Sequence, residues 1–180
     1  MLRQAKGGGG SPAPAKGAHN GTVTDASTTT GLLRAARERL AGSPRERLGE
    51  WTQGRRILGI GRTPRIVPVA DAWHVGALLI GDDRVFATGE VLRARQDAIR
   101  GYTAEAQRAR FERASAAFRG GFAEGEVLHL GWTEMDAAAV DRGESTGILS
   151  LVNGVPHVAW SATGPPRPLA DYLDDMLSLR

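Results

Sequence analysis

Residues 73–94 read Trp-His-Val-Gly-Ala-Leu-Leu-Ile-Gly-Asp-Asp-Arg-Val-Phe-Ala-Thr-Gly-Glu-Val-Leu-Arg-Ala, and this stretch restricts the fold more than any other. Glycine tolerates positive φ and aspartate hydrogen-bonds to its own backbone, so Gly81-Asp82-Asp83 between two apolar runs predicts a hairpin turn. Residues 75–80 are apolar on both faces, as an inner strand requires. The run after the turn alternates more loosely, as expected nearer an edge. A sheet built outward from this ribbon is the starting expectation.

A second hairpin is signalled at residues 147–160. Asn153-Gly154 suits a type I′ turn, in which both central residues take positive φ. The register then sets Val152 opposite Val155, Ser150 opposite His157 and Leu149 opposite Val158. Residues 127–132 read as a further strand, with Leu128, Leu130 and Trp132 on one face and Val127 and His129 on the other. Residues 65–70 read as an edge strand, because Pro68 cannot donate to a ladder.

Helices are predicted at four places. Residues 32–40 space Leu33, Ala36 and Leu40 three and four apart. Ser43-Pro44-Arg45-Glu46 has a capping serine, a proline at the first helical position and a glutamate three after the cap, which predicts a helix running to Gly54 with Leu48 and Trp51 on its apolar face. Residues 102–118 follow, with Thr103 as cap and Phe111, Ala114 and Phe118 as the stripe. The chain ends in a helix from Pro168, with Leu169, Tyr172, Leu173 and Met176 repeating at helical spacing. Gly120-Gly121 reads as a left-handed helix end, though such amides also form anion nests. Residues 1–30 hold almost no large apolar side chains and are expected to stay disordered, leaving one domain over 31–180. The fold class expected is α+β, an antiparallel sheet of about five strands with helices packed mainly on one face.

Composition excludes several chemistries. The 180 residues contain no cysteine, which removes thiol nucleophiles, disulfides, thiolate zinc sites and iron–sulfur clusters. No window approaches the ~20 apolar residues of a membrane span and the N-terminus has no signal-like apolar run, so a cytoplasmic protein without membrane contact is expected. The net charge of +3 is unevenly spread: residues 31–119 hold 17 basic and 10 acidic groups, residues 120–180 hold 3 and 9. An arginine-rich half beside an acidic half points to pairing within the chain, or between copies in a homodimer or with a protein partner, rather than to nucleic acid. Gly59-x-Gly61 is followed by Pro64, which bars the helix that a nucleotide-binding loop needs. No cofactor is implied.

The candidate chemistry is therefore histidine and carboxylate chemistry. His74, His129 and His157 fall on predicted strands, each on the less apolar side, and converge as a three-imidazole metal site if those sides form one face. Ser150 and His157, opposite in register, are a candidate nucleophile and base. Glu124 and Glu126 flank a glycine before a strand and are a candidate acid–base pair. Arg108, Arg110 and Arg113 form an arginine face on the third helix, either a salt-paired surface or an anion-binding one. Trp73, Trp132 and Trp160 read as core residues.

At Ala87-Thr88-Gly89-Glu90-Val91, Arg100-Gly101-Tyr102-Thr103-Ala104-Glu105 and residues 119–126 the chain resembles a family of small proteins from GC-rich bacteria, many of which carry the label glutaminase. The resemblance spans residues 32–180 and implies hydrolysis of an amide such as glutamine. It supplies no catalytic residues. The serine-dependent glutaminase route needs Ser-x-x-Lys, and this chain has no lysine after Lys16; the amidotransferase route needs cysteine, and the asparaginase-like route a threonine with a lysine. Two functions are thus expected from the sequence, a small binding or interaction domain or an amide hydrolase using none of these three routes, while a third, nucleic-acid binding, rests only on the arginine helix.

Overall fold

The computed structural model describes residues 25–52, 63–96 and 104–180. Their elements, in order, are α1 (Thr29–Leu40), β1 (Glu46–Thr52), β2 (Arg65–Val75), β3 (Leu78–Ile80), β4 (Val85–Ala87), β5 (Glu90–Arg93), α2 (Glu105–Arg119), β6 (Val127–Leu130), β7 (Thr133–Met135), α3 (Ala137–Asp141), β8 (Leu149–Val152), β9 (Val155–Val158), β10 (Arg167–Pro168) and α4 (Leu169–Ser178). Seven strands form one sheet in the order β5-β6-β1-β2-β3-β4-β7, and β10-β9-β8 form a second. The class is α+β, but the large sheet is mixed, because β1 and β6 run parallel while the other neighbours run antiparallel.

Three expectations need correction. Residues 75–80 are not one strand: Gly76, at φ 60°, turns the chain between β2 and β3, and Tyr172 Oη on α4 accepts the Ala77 N–H at 2.6 Å. The expected turn at Gly81 does form, closed by Gly81 N–H to Arg84 O at 2.9 Å. The segment after Ser43-Pro44 is β1 and not a helix. Its backbone is claimed on both sides by β2 and β6, and such pairing outweighs a local capping pattern. Leu48 and Trp51 accordingly part company, the first fully buried and the second 45% exposed. Finally, β2 is an interior strand. Pro68 is tolerated there because it lies opposite Gly49 at a register shift, where the ladder is already interrupted.

Alternation gives the sheet two distinct faces. Trp73, Val75, Leu78, Ile80 and Val85 pack with Leu33, Ala36 and Leu40 of α1 and Leu169, Tyr172 and Leu173 of α4. Ile66, Leu92, Leu128 and Leu130 pack with Ala116 and Ala117 of α2 and with Phe122. The side chains that alternate with these, Leu48, Ala72, Leu79 and Phe86, form a third cluster flanked by Ala70 and Trp132. Trp160, by contrast, is 48% exposed and no part of a core.

The charge asymmetry of the chain appears as pairing within it. Arg39 pairs with Asp174, Arg47 with Glu126 and Arg84 with Glu134, each joining the arginine-rich half to the acidic half. Asp141, at the end of α3, accepts the Thr29 N–H at 2.6 Å, the Thr30 N–H at 3.1 Å and the Thr30 hydroxyl at 2.7 Å, so it caps α1 from a distance. Burial works against ionising this carboxyl, but the bonds from Thr30 and Thr29 outweigh it and its pKa lies below the ordinary value. The 3₁₀ turn Asp25–Ser27 and the first residues of α1 thus fall inside the segment expected to be disordered. Residues 1–24 lie outside the described residues, as does Gly59-x-Gly61. No helix among the described residues is long and apolar enough to cross a membrane.

Candidate metal centre

The sheet face that holds the third cluster, with Leu48 and Ala72, also carries the polar groups. Glu46 pairs with Ala72, and His74 lies two residues further along β2, so Glu46 and His74 share a face. Leu48, also on that face, is the register partner of His129 across the parallel β1–β6 pair. Three strands thereby bring one carboxylate and two imidazoles together. One donor atom from each of Glu46, His74 and His129 lies within 4.8 Å of the other two.

The hydrogen bonds settle which ring nitrogens face inward. His74 Nε2 lies 2.9 Å from the Gly76 carbonyl, and a carbonyl only accepts, so Nε2 carries the hydrogen. In the neutral ring that leaves the Nδ1 lone pair facing Glu46 Oε2 at 3.5 Å. An imidazole whose outer nitrogen donates to a backbone carbonyl is oriented as metal-ligating histidines are. His129 Nε2 lies 2.5 Å from the same Glu46 oxygen. Its side chain is fully buried, and its Nδ1 has no hydrogen-bond partner among the described residues. Burial holds the His129 pKa below the ordinary value despite the bond to Glu46, which favours the neutral ring. A carboxylate only accepts, so Nε2 carries the hydrogen in this arrangement, and ligation through Nε2 would shift that hydrogen to Nδ1. The two rings meet edge to face with centroids 4.6 Å apart.

These distances suit a small cation. In a tetrahedral centre with bonds near ~2.1 Å, ligand atoms stand about 3.4 Å apart. The His74–Glu46 separation already matches this, and the His129–Glu46 contact, now a hydrogen bond, would open to admit the ion. A cleft of about 660 Å³ opens over Glu46 and His74 against the middle of α2, at Arg110, Phe111 and Ala114. Ligand and water therefore have access to the centre from one side.

The other candidates are placed as follows. His157 lies in β9, in the second sheet, with its Nδ1 2.9 Å from Val155 O, and is not brought to His74 and His129. Ser150 and His157 are opposite in register as expected. Glu124 accepts the Gln96 N–H at 2.5 Å, and Glu126 is gripped by Arg47 and accepts the Ala123 N–H at 2.7 Å. Arg113 pairs with Glu90 at 2.7 Å, Arg110 lines the cleft, and Arg108 is exposed. Glu46 was missed because it was assigned to a helix cap. Its signal was the alternation Glu46, Leu48 beside Ala72, His74, which is visible only once β1 is read as a strand. No protein-family model, curated protein or solved structure matches the chain.

Glu126 is held in its ionised form. The Arg47 hydrogen bond, aided by the Ala123 N–H, keeps its pKa below the ordinary 4.5 although burial works the other way. A carboxyl whose pKa is lower in the folded than in the unfolded chain adds stability above the unfolded value. That stability is lost as pH falls through the folded value. Wild type and Glu126→Gln, unfolded in urea from pH 7 to pH 3, should therefore differ most at pH 7, and the difference should shrink below about pH 4.5. A gap that stays constant over this range would show that Glu126 does not contribute through its charge.

Proposed function

We propose that the protein is a small ligand-binding domain built around one divalent metal ion of the zinc type, held by Glu46, His74 and His129 at the foot of an open cleft. The observation that carries this reading is the convergence of the three side chains from three strands, with the His74 tautomer fixed by Gly76. Two imidazoles and a carboxylate suit zinc and the later first-row divalent ions, and three protein ligands leave a position for water or ligand.

Calorimetric titration of the chelator-treated protein with zinc tests this. One equivalent should bind, and cobalt at the same site should give the visible absorption of a four- or five-coordinate ion. Absence of stoichiometric uptake of either ion ends the proposal. The glutaminase resemblance supplies a second reading at the same place, because an open His₂-carboxylate centre is also a ligand set used for hydrolysis. Ammonia release from glutamine that requires the added ion would favour it over simple binding.

A further inference from the structure

We infer that the cleft beside this centre takes a small organic anion, its oxyanion group held by Arg95 with help from Arg93 and Arg110 and its apolar body lying on Val91, Phe111 and Val127. The inference rests on the metal-centre reading, because Glu46 without an ion would place a negative charge at the foot of the cleft. With an ion bound the local charge there reverses.

Three guanidinium groups and one carboxylate line the cleft, together with apolar side chains from β5, β6 and α2. Their remaining partners decide which guanidinium is available. Arg110 donates to the Val91 carbonyl at 2.9 Å and lies 3.6 Å from Glu90. Glu90 is itself shared with Arg113, at 2.7 Å. Arg93 donates to the Gly125 carbonyl at 3.1 Å. Each uses only part of its set of five N–H donors and is held in place by that use. The Arg95 side chain has no hydrogen bond or ion pair with any described residue. Its backbone is fixed nevertheless, because the Arg95 N–H donates to Ala114 O at 3.1 Å and so ties it to α2. An arginine with a fixed base and a planar head unpaired among the described residues, beside a cleft of this size, is arranged for bidentate contact with a carboxylate or phosphate. The apolar lining selects an anion that carries hydrocarbon over a bare inorganic one.

Hexanoate and its neutral counterpart hexanamide separate charge recognition from apolar contact. Titrated into the zinc-loaded protein, hexanoate should bind roughly 10-fold or more tightly than hexanamide, as a charge-assisted hydrogen bond predicts. Arg95→Gln should remove that preference and leave zinc affinity unchanged, and Arg95→Glu should abolish hexanoate binding. Equal binding of hexanoate and hexanamide to wild type, or an undiminished preference in Arg95→Gln, would overturn the inference while the zinc centre stood. Failure of zinc to bind would appear in the zinc titration itself and would overturn the metal reading. Glu46 would then set its own charge against an anion in the cleft, so that outcome would overturn this inference as well.

Discussion

Glu46→Gln is expected to weaken zinc binding by at least about 100-fold, an effect larger than the 10–100-fold typical of changes behind a metal's ligands. Glutamine keeps the length of the side chain, so it can remain beside His74 and His129, but it removes the one negative charge of the ligand set. It also replaces the carboxylate that accepts the His129 Nε2 hydrogen bond and that His74 Nδ1 faces. The fold should survive, since Glu46 is only half-buried and its backbone bonds to β2 are untouched. His74→Gln should give a loss of similar size, whereas His157→Gln, in the other sheet, should leave zinc affinity at the wild-type value. Isothermal titration of the three variants against zinc checks this. Wild-type affinity in Glu46→Gln would remove the carboxylate from the centre.

The second large effect is structural. Gly120→Ala should destabilise the protein by about 3 kcal/mol, at the upper end for a group forced into a packed site. Gly120 follows the last residue of α2 and has φ −87°, so its conformation makes no demand for glycine. The demand comes from proximity: a Cβ there would lie far inside van der Waals contact distance of the Ile66 carbonyl oxygen, and the helix would have to lift off β2. Gly121 is the reverse case, at φ 107° with open space around it, so Gly121→Ala should cost less, of order 1–2 kcal/mol for a left-handed non-glycine residue. Thermal melting separates the two, since each kcal/mol corresponds to roughly 2–4 °C for a chain of this size. A Gly120→Ala midpoint within 2 °C of wild type would show that α2 does not press on β2 as described.

Much of the local structure was legible because it depends on local chemistry. The Asn153-Gly154 turn has both residues at positive φ, 51° and 77°, and the hairpin register follows from it residue by residue. The Gly120-Gly121 helix end and the apolar stripe of α4 were likewise readable, since each is set within a few positions. What could not be read depends on partners far away in sequence. Ser43-Pro44-Arg45-Glu46 has every local sign of a helix start, and only the flanking strands make it the entry to β1. Pro68 signals an edge, and only the register shift opposite Gly49 makes an interior position tolerable. The candidate site was half legible for the same reason. His74 and His129 announce themselves as strand histidines on the more polar side, but their companion is a carboxylate from the strand between them and not the imidazole of β9.

The parallel β1–β6 contact has a consequence for how the molecule comes together. Glu46 meets His74 through the antiparallel β1–β2 pair, but it meets His129 across a sequence separation of 83 residues. The entropy of closing so long a loop must be met before any of its contacts are rewarded. Of the two contacts Glu46 makes, the one to His129 therefore closes the longer loop and carries the larger entropic cost. The complete donor set exists only where β6 has docked alongside β1.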